Sequence, residues 1–156
     1  MYRWIFSFIL LSILVACNSD KLPTNDDFVV KVRTVNKTAK VNEEIEIITE
    51  LINKSNKTFL IKHSNPLVTV QAYDKNDKPL YEYLVVDDVG LSHKFKSKET
   101  YNPNEEWKPN EKRIIKIDKP GRYELIGNAS FLIDQSNGER QEYSLKSQPY
   151  EILIEE

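Results

Sequence analysis

Residues 44–51 read Glu44-Ile45-Glu46-Ile47-Ile48-Thr49-Glu50-Leu51. Ile45, Ile47, Thr49 and Leu51 share one parity, while Glu44, Glu46, Ile48 and Glu50 share the other. A strand sends successive side chains to opposite faces, whereas a helix brings a face round every 3.6 residues or so. This stretch therefore predicts a half-buried antiparallel strand with aliphatics inward and carboxylates mostly outward.

The same period of two recurs on both sides of it, at 28–35, 58–63, 67–73, 80–86, 113–118, 122–133, 142–146 and 150–154, which makes about nine candidate strands. Between them lie Asn53–Lys57, Asp74–Pro79, Lys108–Glu111, Lys119–Gly121 and Ser136–Gly138. Asn and Asp tolerate left-handed backbone, Gly adopts it freely and Pro presets φ, so each segment lets the chain reverse. No stretch carries a long helical period with caps. Short strands separated by turns at this regularity predict an all-β chain, an immunoglobulin-like antiparallel β-sandwich of about 7–9 strands. Residues Asp118–Leu125 sharpen that expectation, because a Lys-Pro-Gly turn leads into Tyr123. The pattern resembles the tyrosine corner of immunoglobulin-like domains, with Leu125 where antibody domains carry a cysteine; the other reading is a tyrosine that merely begins a strand.

The composition suits one globular domain: 156 residues, 40% hydrophobic, 29% charged, with one cysteine and four glycines. A formal charge of -2 argues against nucleic acid as a partner, since neutralising phosphates needs a basic excess. Stability has to come from the core, because a single cysteine cannot form an internal disulfide.

The N-terminus has a different character. Arg3 precedes an apolar run from Trp4 to Ala16, broken only by Ser7 and Ser12. As a helix those 13 residues cover roughly 20 Å of a hydrocarbon core about 30 Å thick, the proportions of a secretory signal rather than of a permanent span. The run ends in Leu14-Val15-Ala16-Cys17, which resembles the lipobox of bacterial lipoproteins. That resemblance implies removal of residues 1–16, a diacylglyceryl group on Cys17, and a location on the extracytoplasmic face of the cell membrane. Two acyl chains suffice for stable anchoring. Loss of Arg3 with the leader moves the formal charge to -3. Residues 17–27, polar after the cysteine apart from Leu22, are expected to form a tether, and 28–156 the sandwich.

Residues 85–107 alternate weakly, and they are expected to form a long loop in which a short strand at 93–98 has room. Aromatics concentrate around it: Tyr73, Tyr81, Tyr83, Phe95, Tyr101 and Trp107. Such residues either fill a core or line a surface that is apolar and wet at once. Phe95, Tyr101 and Trp107 are the candidate partner-binding residues, Tyr101 and Trp107 especially, being surrounded by prolines and charges.

Catalytic chemistry is not legible. His63 and His93 stand apart in sequence without neighbouring ligand residues, so no metal is expected, and the Asp74–Pro79 segment lacks the glycine and terminal glutamate of a calcium loop. There is no G-x-S-x-G elbow and no glycine-rich phosphate cradle. Carboxylate pairs such as Asp87-Asp88 and Glu105-Glu106 read as solvated charge. The expectation is a non-enzymatic, cofactor-free binding module on the membrane.

The order Asn53–Lys57, Tyr73-Asp74, Leu80–Tyr83, Phe95, Trp107–Glu111 and Pro120–Tyr123 is similar to that of the immunoglobulin-like domain of the intracellular proteinase inhibitor (BsuPI) type, over roughly residues 43–131. The resemblance implies the sandwich fold and, as an alternative function, inhibition of a protease through an exposed loop. The partner would then be an extracellular protease rather than another envelope protein.

Overall fold

The computed structural model describes residues 22–81, 87–103, 112–135 and 138–156. Ten strands occur among them: β1 Phe28–Thr34, β2 Thr38–Lys40, β3 Ile45–Asn53, β4 Phe59–Tyr73, β5 Asp87–Phe95, β6 Thr100–Tyr101, β7 Ile114–Ile115, β8 Gly121–Asp134, β9 Arg140–Lys146 and β10 Tyr150–Glu155. The stretch that opened the reading is β3, buried at every second residue as its alternation requires.

Two sheets form. In the first, β3 pairs with β1 along one edge and with the short β6 and β7 along the other. The second runs β2-β10-β8-β4-β5, with β9 also pairing to β8. Strands β9 and β10 take successive lengths of the same β8 edge, opposite 128–134 and 121–125. Between them Ser147 keeps the ladder closed: its N–H donates to the Gly127 carbonyl at 2.8 Å, and its Oγ accepts from the Gly127 N–H at 2.9 Å. All pairs are antiparallel except β2 with β10.

Tyr123 makes the corner that its sequence resembles, its hydroxyl donating to the Lys119 carbonyl at 3.0 Å. Leu125, two residues on, is fully buried in place of a cysteine. The chain is thus an immunoglobulin-like sandwich, and with one cysteine it has no internal disulfide. Replacing Tyr123 by Phe removes that one bond and should cost about 1 kcal/mol in urea unfolding. A variant as stable as the wild type would show that the corner contributes nothing.

The interior has two parts. Near the chain entry Phe28 meets Phe131 and Tyr143 edge-on, at 5.1 and 5.5 Å between centroids, and Phe131 stacks on Tyr143 at 5.2 Å. Aromatic pairs of this geometry add about 0.5–1.5 kcal/mol beyond their buried area. Towards the other end Ile45, Ile47, Ile117, Leu125, Ile152 and Ile154 form an aliphatic cluster with Tyr123. Gly127 lies on the inner row of β8 between the two.

Four expectations change. The runs at 58–63 and 67–73 are one strand, β4, whose register to β8 jumps between His63 and Val68; Pro66 sits in that irregularity, where a strand tolerates a residue without an N–H. Within the expected 85–107 loop, residues 87–95 and 100–101 are strands, β5 and β6, joined by the 96–99 turn. The run at 80–86 does not begin as a strand, since Leu80 closes the preceding turn onto Ala72, and 82–86 lie outside the described residues. Finally, residues 22–27, expected in a tether, join the fold. Pro23 is buried with its carbonyl accepting from the Tyr143 hydroxyl at 2.8 Å, and Asn25–Asp27 form a 3-10 turn.

Candidate functional site

At the end where the chain enters, three segments are joined. The 3-10 turn is closed by the Asp27 carboxylate, which accepts from the Thr24 N–H at 2.8 Å, and the Lys54 N–H donates to the Asp27 carbonyl at 2.7 Å. Asn53 organises the rest from a fully buried position at the end of β3. Its Nδ2 donates to the carbonyls of Lys57 and Lys96, both at 2.8 Å, while its Oδ1 accepts from the Ser55 N–H at 2.9 Å and Oγ at 2.7 Å. One amide therefore shapes the 53–58 loop and ties it to the 96–99 loop. Ser97 Oγ donates to the Ser55 carbonyl, and the Lys98 ammonium donates to that of Lys54. Beside these loops an open groove of about 490 Å³ is lined by Leu22, Asp27, Lys54, Lys57 and Phe59. Lys54, Lys57, Lys94 and Lys96 are exposed here.

Between the sheets near this end, both histidines gather around Tyr101. Antiparallel pairing of β4 with β5 sets His93 opposite Ile61 and Leu91 opposite His63, which brings the two rings to the same region. Tyr101 arrives from β6 in the other sheet. Its ring stacks on His93 at 3.7 Å and 6°, and its hydroxyl lies 3.3 Å from His63 Nε2. His93 Nε2 is 3.0 Å from Glu99 Oε1, and Glu99 Oε2 accepts from the Lys96 N–H. These are acid–base side chains, and His63 Nδ1 also lies 2.8 Å from the Ser64 carbonyl. The cluster acts as a brace between the sheets.

At the opposite end the Asp74–Pro79 turn is held by Asp74 Oδ1, which accepts from the N–H groups of Asn76 at 2.8 Å and Lys78 at 3.0 Å. The Lys78 bond, and then the Asn76 bond, hold the Asp74 carboxyl below the usual carboxylate range. Asp77 takes the positive φ that the reversal needs. The turn is a hairpin connection, as its sequence suggests. No group of three or more His, Cys, Asp or Glu among the described residues is placed to hold a metal ion.

The candidate partner-binding residues separate. Phe95 is 0% exposed and stacks on Phe28, and Tyr101 is only 7% exposed. Phe95 was expected on a binding face as one of the clustered aromatics, and Tyr101 because prolines and charges surround it in sequence. Strand alternation decides otherwise: Lys94 and Lys96 take the outer face of the sheet, and Phe95 between them takes the inner one. Trp107 and Cys17 lie outside the described residues. The signal missed in the sequence was Asn53, which reads as one more turn residue.

By fold the chain belongs to the all-β, two-sheet sandwiches. No protein-family model and no curated protein matches it. Among solved structures it is similar to SoR45, a target of the Northeast Structural Genomics Consortium, with a TM-score of 0.53 and 13% identity over 85% of this chain and 90% of that one. It also aligns with Spo0M, a sporulation control protein of Bacillus subtilis, with a TM-score of 0.39 and 14% identity over 83% of this chain and 50% of that one.

Proposed function

We propose that the chain is a lipid-anchored, non-enzymatic binding module on the extracytoplasmic face of the cell membrane. The observation that carries this reading is the position of Cys17: the sole cysteine, it follows Leu14-Val15-Ala16 at the end of the apolar run, five residues before the described fold begins at Leu22. The sandwich supplies a scaffold with a packed core, and loops at its ends are where such folds present binding surfaces. Cys17→Ser should abolish detergent-phase partitioning and the acyl mass on the N-terminal peptide. A variant that still partitions would overturn the anchor. The partner is an envelope protein, to be found by crosslinking in cells. Trp107→Ala is the variant to compare, since truncating the buried Tyr101 would damage the core.

The BsuPI-type resemblance supports a second reading, inhibition of an extracellular protease. The Asp74–Pro79 turn favours it, because an inhibitory loop needs an exposed segment already held in shape, and Asp74 holds this one. The full chain should then slow at least one serine or cysteine protease in a panel, and Asp74→Ala should weaken that effect. No inhibition at high concentration would remove this reading.

A further inference from the structure

We infer that the open edge of β3, between its short partners β6 and β7, is a receptor for a small carboxylate, held by the Arg113 guanidinium and the Thr49 hydroxyl. The site lies in the sandwich itself and does not depend on the anchor.

Thr49 is the first support. It sits on the inner row of β3 at 1% exposure, and its Oγ1 is the one buried side-chain polar atom without a hydrogen-bond partner among the described residues. A buried hydroxyl left in this state is destabilising, whereas a valine would fill the same volume without that cost. The backbone beside it is open as well. The Ile47 N–H donates to the Arg113 carbonyl and the Asn53 N–H to that of Glu99, so the odd-numbered residues of β3 turn their backbone groups towards the β6 and β7 side. Thr49 does the same, yet β7 pairs with Ile45 and Glu46, and β6 with Leu51 and Ile52. Its N–H therefore points into a notch between the two, where no described strand lies.

Arg113 is the second support. It lies opposite Ile47, an inward residue, and sends its side chain between the sheets, where Nη1 donates to the Val68 carbonyl of β4. Val68 and Val32 both close on Gly127, and Val32 stands across from Thr49 in the β1–β3 ladder. The guanidinium is thus brought to the level of Thr49. Burial pulls its pKa down, and no carboxylate among the described residues offsets that burial. The lysines near it in sequence, Lys112 and Lys116, are engaged elsewhere, by Glu46 and Glu44.

A half-buried cation without a counter-ion and a buried hydroxyl without a partner are each unfavourable alone, and one anion between them satisfies both. The Val68 carbonyl occupies one N–H of the planar guanidinium, which leaves others to grip the two oxygens of a carboxylate. The Thr49 hydroxyl and N–H add neutral donors. A single cation matches a single negative charge, which favours a carboxylate over a phosphate group carrying about 1.5–2.

The test uses the full chain, labelled with nitrogen-15 and purified in detergent. It is titrated with sodium acetate, and separately with inorganic phosphate, against sodium chloride at constant ionic strength. Acetate should shift the Thr49 amide and Arg113 Nε–H resonances saturably and leave those of the Asp74–Pro79 turn in place. Thr49→Val should weaken acetate by about tenfold, the size of one hydrogen bond to a charged group, while melting no lower than wild type in chloride. Arg113→Met keeps the aliphatic stem and should abolish saturation. No saturable shift with acetate overturns the inference, and so does one that is unchanged in Thr49→Val. Tighter binding of phosphate than of acetate overturns the carboxylate assignment. A Thr49→Val chain that melts well below wild type would show that the hydroxyl already has a partner, which overturns the site from the other side.

Discussion

Gly127→Ala should destabilise the sandwich by about 2 kcal/mol, and Gly127→Val by about 3 kcal/mol or to the point of not folding. A Cβ at this position would lie 2.5 Å from Val32 Cγ2, 3.0 Å from Val68 Cγ1 and 3.3 Å from Val30 Cγ1. The first distance is shorter than any real contact, and all three neighbours are short β-branched side chains with little freedom to rotate away. Ordinarily a strand gains about 0.5–1 kcal/mol when Gly becomes Ala, so a loss here reports the close approach of β1 to β8 directly. In thermal unfolding the alanine variant should melt on the order of 10 °C lower. Ser130→Ala, on the exposed face of the same strand, should change stability by no more than about 0.5 kcal/mol. If the two variants behave alike, the sheets are not as close at Gly127 as described. Adding Val32→Ala to Gly127→Ala should recover about 1 kcal/mol relative to additivity, because the methyl in collision is gone.

The second large effect is expected at Asn53. Its amide makes four short hydrogen bonds from a position with no solvent exposure, so Asn53→Ala should cost about 2–4 kcal/mol and loosen the 53–58 and 96–99 loops together. Hydrogen exchange should show both loops opening, including Ser97, which is far from Asn53 in sequence. Asn53→Asp separates shape from chemistry. It keeps the volume but turns a carboxylate oxygen towards the carbonyls of Lys57 and Lys96, where the amide donated. Burial and those two oxygens disfavour the charged form, so the folded pKa of this Asp rises above its unfolded value near 4. The native state then holds the extra proton. Stability of Asn53→Asp should be greatest below about pH 4 and fall as pH rises through the raised value, relative to wild type. A pH-independent difference between Asn53→Asp and wild type would contradict the hydrogen bonds assigned to Nδ2.

The strands that alternate clearly were readable because alternation is a local property with a steric cause. In β3 each inward residue from Ile45 to Leu51 could be named in advance, and β8 was bounded almost to the residue. The turns at Asp74–Pro79 and Lys119–Gly121 were readable for the same reason, since Asp, Pro and Gly settle φ and ψ within a few residues. Strands β2 and β6 were not, being three and two residues long and defined only by the backbone each lies beside. Strand β5 holds Gly90, His93 and Lys94 as well as Phe95, and its alternation emerges only once β4 is its neighbour.

The candidate site was less legible than the fold. Phe95 and Tyr101 were selected by the company they keep in sequence, yet side chains one residue apart in a strand face opposite ways. His63 and His93 looked unrelated until β4 and β5 paired, and the brace they form with Tyr101 draws on both sheets. What the sequence by itself determined was the period of two, the places where the chain turns, the tyrosine corner and the apolar run before Cys17. All of these depend on residues near one another along the chain. Only the tertiary structure decided which strands pair, which aromatics the core takes, that Gly127 must have no side chain, and that the lysines of two distant loops share the end where the chain enters. Those outcomes depend on which surfaces meet, and a pattern of short range carries no record of a partner many residues away.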